Sequence, residues 1–164
     1  MFKRTKLISL LIFLCSFYFT SFAQEESTVI KKLSKGADVI LLGKVIKKVS
    51  NWNESRTRIY TTTNVQAEEY FKGTGNENNL VIRTLGGEVG DVGELYTHMP
   101  TFKDDEEMVV FLKKDENNKG YKVYNGEEGK ITVITDEKTK EKVTNSKVRI
   151  KDLEAQIKRY VNEQ

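Results

Sequence analysis

The chain has 164 residues, with 27 lysines and arginines against 24 aspartates and glutamates and a mean hydropathy of −0.52. Its formal excess of three positive charges sits on Lys3, Arg4 and Lys6, in a stretch with no acidic residue, so residues 24–164 carry 24 basic and 24 acidic side chains. That balance argues against a nucleic-acid or anionic-membrane partner, and a single cysteine, Cys15, excludes an intrachain disulfide framework.

The N-terminus reads as a secretory signal peptide: basic residues, an apolar run from Leu7 to Phe19, then Ser21-Phe22-Ala23 before Gln24. Cleavage is expected after Ala23. The run is interrupted by Cys15 and Ser16 and falls short of the roughly 20 residues of a spanning helix. The expected product, residues 24–164, is one exported domain, periplasmic or secreted, with no transmembrane segment after cleavage. A cut that leaves Cys15 as a lipidated first residue is the alternative, disfavoured by Leu14, since lipoprotein processing favours a small residue there. A domain of this size buries roughly two thirds of its unfolded surface and needs no staple.

Residues 25–35 place Val29, Ile30 and Leu33 at helical spacing behind a Ser27 cap, with Gly36 as a stop. Ala37 to Ser50 predicts a long strand, apolar on both faces at Val39–Leu42 and one-sided afterwards, with Gly43 marking a bend. Such a bend suits a small barrel turning a corner. Ile59 to Phe71 alternates as a second strand, with Ile59, Thr61, Thr63, Val65 and Ala67 on one face. A turn at Lys72–Asn76 leads to a third strand at Leu80–Leu85.

Four of the eleven glycines then fall in Arg83–Gly93, followed by an irregular stretch to Phe102 that holds the only proline, Pro100, and the only histidine, His98. A buried strand is expected at Glu107–Lys113, two more at Tyr121–Tyr124 and Lys130–Thr135, and a short returning strand from Val143. Leu153, Ile157, Tyr160 and Val161 mark a C-terminal helix at about 151–162, its acidic residues near the start and basic ones near the end.

The ordered set Ala37–Val45, Tyr60-Thr61, Glu69–Gly73, Arg83 with Gly86–Gly90, and Glu107–Leu112 resembles a family of small exported bacterial domains, some found beside matrixin-type metalloproteases. The first two segments also resemble the netrin-like domain of tissue inhibitors of metalloproteinases. The resemblance covers about residues 35–133. It implies a mainly β fold, an OB-type (netrin-like) small barrel of about six strands with a short N-terminal and a C-terminal helix. Tissue inhibitors place an N-terminal cysteine on the target's zinc, whereas this chain would begin at Gln24 without one.

Motifs for chemistry are sparse. Gly86, Gly87, Gly90 and Gly93 fit neither the dinucleotide fingerprint nor the P-loop, and Glu88, Asp91 and Glu94 would repel phosphate. Those carboxylates are hard oxygen donors three apart, a pattern a calcium ion could use, but not in EF-hand order. His98 has no second histidine, and no Gly-x-Ser-x-Gly elbow is present. The expectation is therefore a non-enzymatic binding module without cofactor or metal, whose partner is a protein, a peptide, a protease or a glycan of the cell envelope or exterior. Its contact residues are Trp52, Glu88, Asp91, Tyr96, His98 and Phe102, aromatics being the stacking resource of such barrels. The alternatives are an enzyme of unknown class and a lipid-anchored structural envelope component.

Overall fold

The computed structural model describes residues 28–74, 77–117 and 120–163, so the expected signal peptide, Cys15 and the Ser27 cap lie outside the described residues. The chain divides into two units, Met1–Lys32 and Leu33–Gln164. Helix α1 covers residues 28–36. Its last turn is closed by Ala37 N–H, which donates to Leu33 O, and by the Lys72 ammonium, which donates to Ser34 O at 2.8 Å and Lys35 O at 3.2 Å. A cation on the open carbonyls of a helix end opposes the negative pole of its dipole.

The fold is mainly β with a helix at each end. Strands β1 (Val39–Trp52), β2 (Ile59–Lys72), β3 (Asn79–Leu85), β6 (Glu107–Asp115), β7 (Gly120–Val123), β8 (Lys130–Thr135) and β9 (Lys142–Thr144) form one sheet in the order β1-β2-β3-β7-β6-β8-β9. β1 pairs with β6 as well as β2, so the pairings run β1-β2-β3-β7-β6 and return to β1. The return depends on a single parallel pair, Ile82↔Tyr121, between β3 and β7.

β1 is paired on both edges, and the apolar run at its start is buried on both faces. Val39 to Gly43 are all buried between β2 and β6, and exposure rises only after Val45. Register shifts at Leu42/Gly43 and Val45/Lys47 bend the strand where Gly43 led one to expect it. A Cβ on Gly43 would lie 2.7 Å from Gln66 O, so the glycine also lets β2 approach. In β2 the alternation places Ile59, Thr63 and Val65 inside, and in β3 Leu80, Ile82 and Thr84. Of these, Val65, Leu80 and Ile82 meet Leu41, Val45, Met108, Val110 and Leu112 in one core cluster, which Phe102 joins from the loop.

Helix α2 (Ile150–Asn162) buries Ile150, Leu153, Ile157 and Tyr160 and packs on β2 and β9, with Asp152 in its first turn and Arg159 in its last. Residues 95–102 are irregular as expected, but the glycine segment before them, expected as a loop, holds two short strands. Gly87–Val89 (β4) and Val92–Glu94 (β5) pair as a small antiparallel ribbon with Gly90 at its tip.

Candidate functional site

The ribbon and the stretch after it overhang one end of the sheet and enclose a cleft of about 650 Å³. Its floor comes from β1 and β2 through Lys48, Ser50 and Thr61. One side is the end of β3, Thr84 and Leu85, with Gly86 and Gly87 after it, and the other is Leu95, Tyr96 and Met99 to Phe102.

Two consecutive glycines shape the entry to the ribbon. Gly86 and Gly87 have φ of 97° and 136°, a region that L side chains avoid. A Cβ on Gly87 would lie 2.3 Å from Thr61 Oγ1 and 2.4 Å from Ser50 Oγ, so the bare backbone sits directly on that hydroxyl pair. Ser50 Oγ and Thr61 Oγ1 are 2.9 Å apart, and Thr61 donates to Gly86 O at 2.7 Å.

A polar clasp fixes the far side of the ribbon. The Glu94 carboxylate accepts from Ile59 N–H at 3.0 Å and from the Tyr96 hydroxyl at 2.9 Å. Tyr96 in turn accepts from Arg58 at 2.6 Å, and that hydrogen bond is the main reason the guanidinium is held above its ordinary range. Lys48 spends its ammonium on Phe102 O at 3.0 Å. The charged groups around the cleft are thus largely structural, while its mouth is apolar: Leu95 is 86% exposed and Met99 41%.

The loop beneath the cleft is pinned by a sheltered ion pair. Glu106 meets Lys130 at 2.7 Å and also accepts from Thr132 Oγ1 at 2.9 Å and Lys103 N–H at 3.0 Å. Burial pushes the Glu106 carboxyl up, but these partners outweigh it and hold it below the ordinary range. Lys130 additionally donates to Thr101 O and lies 5.2 Å from the Phe102 ring centre.

Of the expected contact residues, the cleft gathers Glu88, Tyr96 and Phe102. Phe102 is only 4% exposed and belongs to the core, so its ring is a wall rather than a free contact. Tyr96 is half-buried and engaged in the clasp. Glu88 and Asp91 are exposed on the ribbon, and the third carboxylate of that series, Glu94, turns to Ile59 instead of joining them. Among the described residues no three histidine, cysteine or acidic side chains form a metal-holding group. His98 is exposed with φ 67°, and its carbonyl accepts from Glu127 N–H at 2.8 Å, anchoring the short 3-10 turn at Gly126–Gly129.

Trp52 stands apart from the cleft. Half-buried at the end of β1, it lines a separate hollow of about 220 Å³ with Asn51, Tyr60, Thr62, Val81 and Arg83, in which the Arg83 guanidinium lies 4.1 Å over the Tyr60 ring. The two surfaces therefore do not form one site. Sequence reasoning overlooked Leu95 and Met99, although two large apolar residues in a polar, glycine-rich loop were the available signal. A scan against family models finds no match, and no curated protein matches the chain, so the geometry of the cleft carries the functional argument.

Proposed function

We propose that this chain is an exported, non-enzymatic binding module that engages a protein or peptide partner through the cleft under the glycine ribbon. The observation that carries this reading is the exposed apolar mouth, Leu95 at 86% and Met99 at 41%, beside a roomy cleft. Withdrawing a leucine side chain from water is worth roughly 1.5–3 kcal/mol, which folding of the isolated chain forgoes here and a partner can recover. Export rests on the N-terminal pattern described above, and the resemblance to netrin-like domains supports an OB-type scaffold that presents loops. A non-enzymatic role is supported by the clasp, because Glu94, Tyr96 and Lys48 are spent on positioning backbone rather than poised toward the cleft.

The test is capture from the envelope fraction and the culture medium of the producing cells by three purified proteins. Wild type and Ile46→Asp, a change on exposed β1 outside the cleft, are expected to hold the same partner. Leu95→Asp/Met99→Asp is expected to lose it while keeping its far-ultraviolet circular dichroism. Full retention by the double variant would refute the reading.

A further inference from the structure

We propose that the hollow at the end of β1 is a second, separate site, a subsite for one neutral pyranose ring of an oligosaccharide, seated against Trp52 and Tyr60 and held by Asn51, Thr62 and Arg83. Strand register brings these residues together. On β2 and β3, Tyr60 and Thr62 alternate with the buried Ile59 and Thr63, and Val81 and Arg83 with the buried Leu80 and Ile82, so all four turn to the outer face of the sheet. Asn51 of β1 lies opposite Tyr60, and Thr62 lies opposite Arg83, which sets two adjacent cross-strand rows side by side. Asp115, at the end of β6, and Gly120 and Tyr121, at the start of β7, close the hollow from the neighbouring strands.

The lining offers rings and hydrogen-bonding groups together. The Arg83 guanidinium lies 4.1 Å over the Tyr60 ring, which ties those two side chains to each other. Among the described residues, the Asn51 amide, the Thr62 hydroxyl and the Trp52 indole N–H have no hydrogen-bond partner. The amide and the hydroxyl each donate and accept, and the indole donates. A sugar ring matches that mixture, because its hydroxyls also donate and accept while its C–H face is apolar and lies flat on an aromatic ring.

At about 220 Å³ the hollow is smaller than the roughly 300–1,000 Å³ of sites that enclose a whole drug-sized ligand, so it admits one ring of a longer chain. Charge points the same way. The ionised groups of the lining are one cation, Arg83, and one anion, Asp115, whose buried carboxylate is paired with Lys122 at 3.2 Å. A phosphate-bearing ligand meets both signs there, whereas a neutral sugar is repelled by neither. A nucleobase needs an open ring face to stack on, and Arg83 already covers one face of Tyr60.

Trp52 is the only tryptophan in the chain, so the protein has one indole N–H resonance and its tryptophan fluorescence arises at the hollow. The probes are chitohexaose, cellohexaose and maltohexaose, added singly to the 15N-labelled protein. Saturable shifts of the Trp52 indole and Arg83 side-chain N–H resonances are expected with at least one of them, together with a change in tryptophan emission. Asn51→Ala and Thr62→Val each delete one polar group from the hollow and should weaken that binding about threefold or more, the effect of one neutral hydrogen bond. Ile46→Asp, outside the hollow, should bind as wild type does. No shift with any of the three sugars overturns the proposal. So does wild-type affinity of both variants, or tighter binding of adenosine monophosphate, which would assign the rings to a base. The hollow and the cleft share no lining residue, so failure of the sugar test leaves partner capture through Leu95 and Met99 standing, and failure of capture leaves the sugar subsite standing.

Discussion

Glu106 holds together the end of the loop that walls one side of the cleft, and its replacement by glutamine offers a direct measure of that role. Its carboxylate and the Lys130 ammonium have side chains only 10% and 13% exposed, and they lie 2.7 Å apart. Breaking a fully buried pair by removing one partner costs about 3–5 kcal/mol. Some solvent reaches this pair, and a glutamine oxygen still accepts from Thr132 or Lys103, so Glu106→Gln is expected to cost about 2–3 kcal/mol. Lys130→Met leaves the carboxylate sheltered without its cation and should cost at least as much, and the double variant should recover part of the loss. Urea unfolding of the four proteins gives the numbers directly. A loss below about 0.5 kcal/mol for Glu106→Gln would class the pair with surface ion pairs and refute the reasoning.

The same group sets a pH signature. Its folded carboxyl is held below the ordinary 4.5, so its stabilisation is fully present above about pH 4.5 and is lost as pH falls through the lower folded value. Glu106→Gln should therefore remove part of the acid-induced destabilisation, and parallel acid limbs of wild type and variant would contradict this.

Three further outcomes are expected. Gly87→Ala forces a Cβ to within 2.4 Å of two hydroxyl oxygens at φ 136° and should cost about 1–3 kcal/mol in thermal or urea unfolding, whereas an unchanged midpoint would show that the ribbon is not seated on Ser50 and Thr61. Thr63 is fully buried and its Oγ1 has no hydrogen-bond partner among the described residues, so the near-isosteric Thr63→Val should stabilise by about 1 kcal/mol; destabilisation would mean that the hydroxyl is satisfied after all. Burial first, and then the neighbouring Glu154, raise the Glu69 carboxyl above 4.5. A raised folded value gives stability that is present below the ordinary range and lost as pH rises through it, so Glu69→Gln should gain stability at pH 7 relative to pH 4, and a pH-independent effect would dismiss the carboxyl pair.

Much of the fold was legible in residue order. Period-2 alternation in Ile59–Phe71 and Leu80–Leu85 sorted residues onto the two strand faces, of which the structure buries the one with Ile59, Thr63 and Val65 and the one with Leu80, Ile82 and Thr84, and the apolar run at Val39–Leu42 announced a stretch buried on both faces, as its burial bears out. The C-terminal stripe likewise buries Leu153, Ile157 and Tyr160. The ribbon escaped notice because each of its strands spans three residues, shorter than any periodicity can register, and glycine supplies no side-chain pattern.

The candidate site was less legible, since its members are defined by contacts between distant parts of the chain. Glu94 looked like one of three exposed carboxylates, yet it caps Ile59 N–H, 35 positions away. Phe102 looked like a free aromatic in a loop, yet the core takes it, with Lys48 holding its carbonyl from 54 positions away. Sequence by itself determined which residues share a strand face, where the longer strands and the helices run, and that the glycine segment interrupts the longer β pattern, because local periodicity and backbone preference act over a few residues. Only the tertiary structure decided that this segment folds back over Ser50 and Thr61, that its acids divide between clasp and solvent, and that Leu95 and Met99 stand exposed at the cleft. Those outcomes depend on which distant hydrogen bonds and packing contacts can be satisfied together, and no local pattern records that.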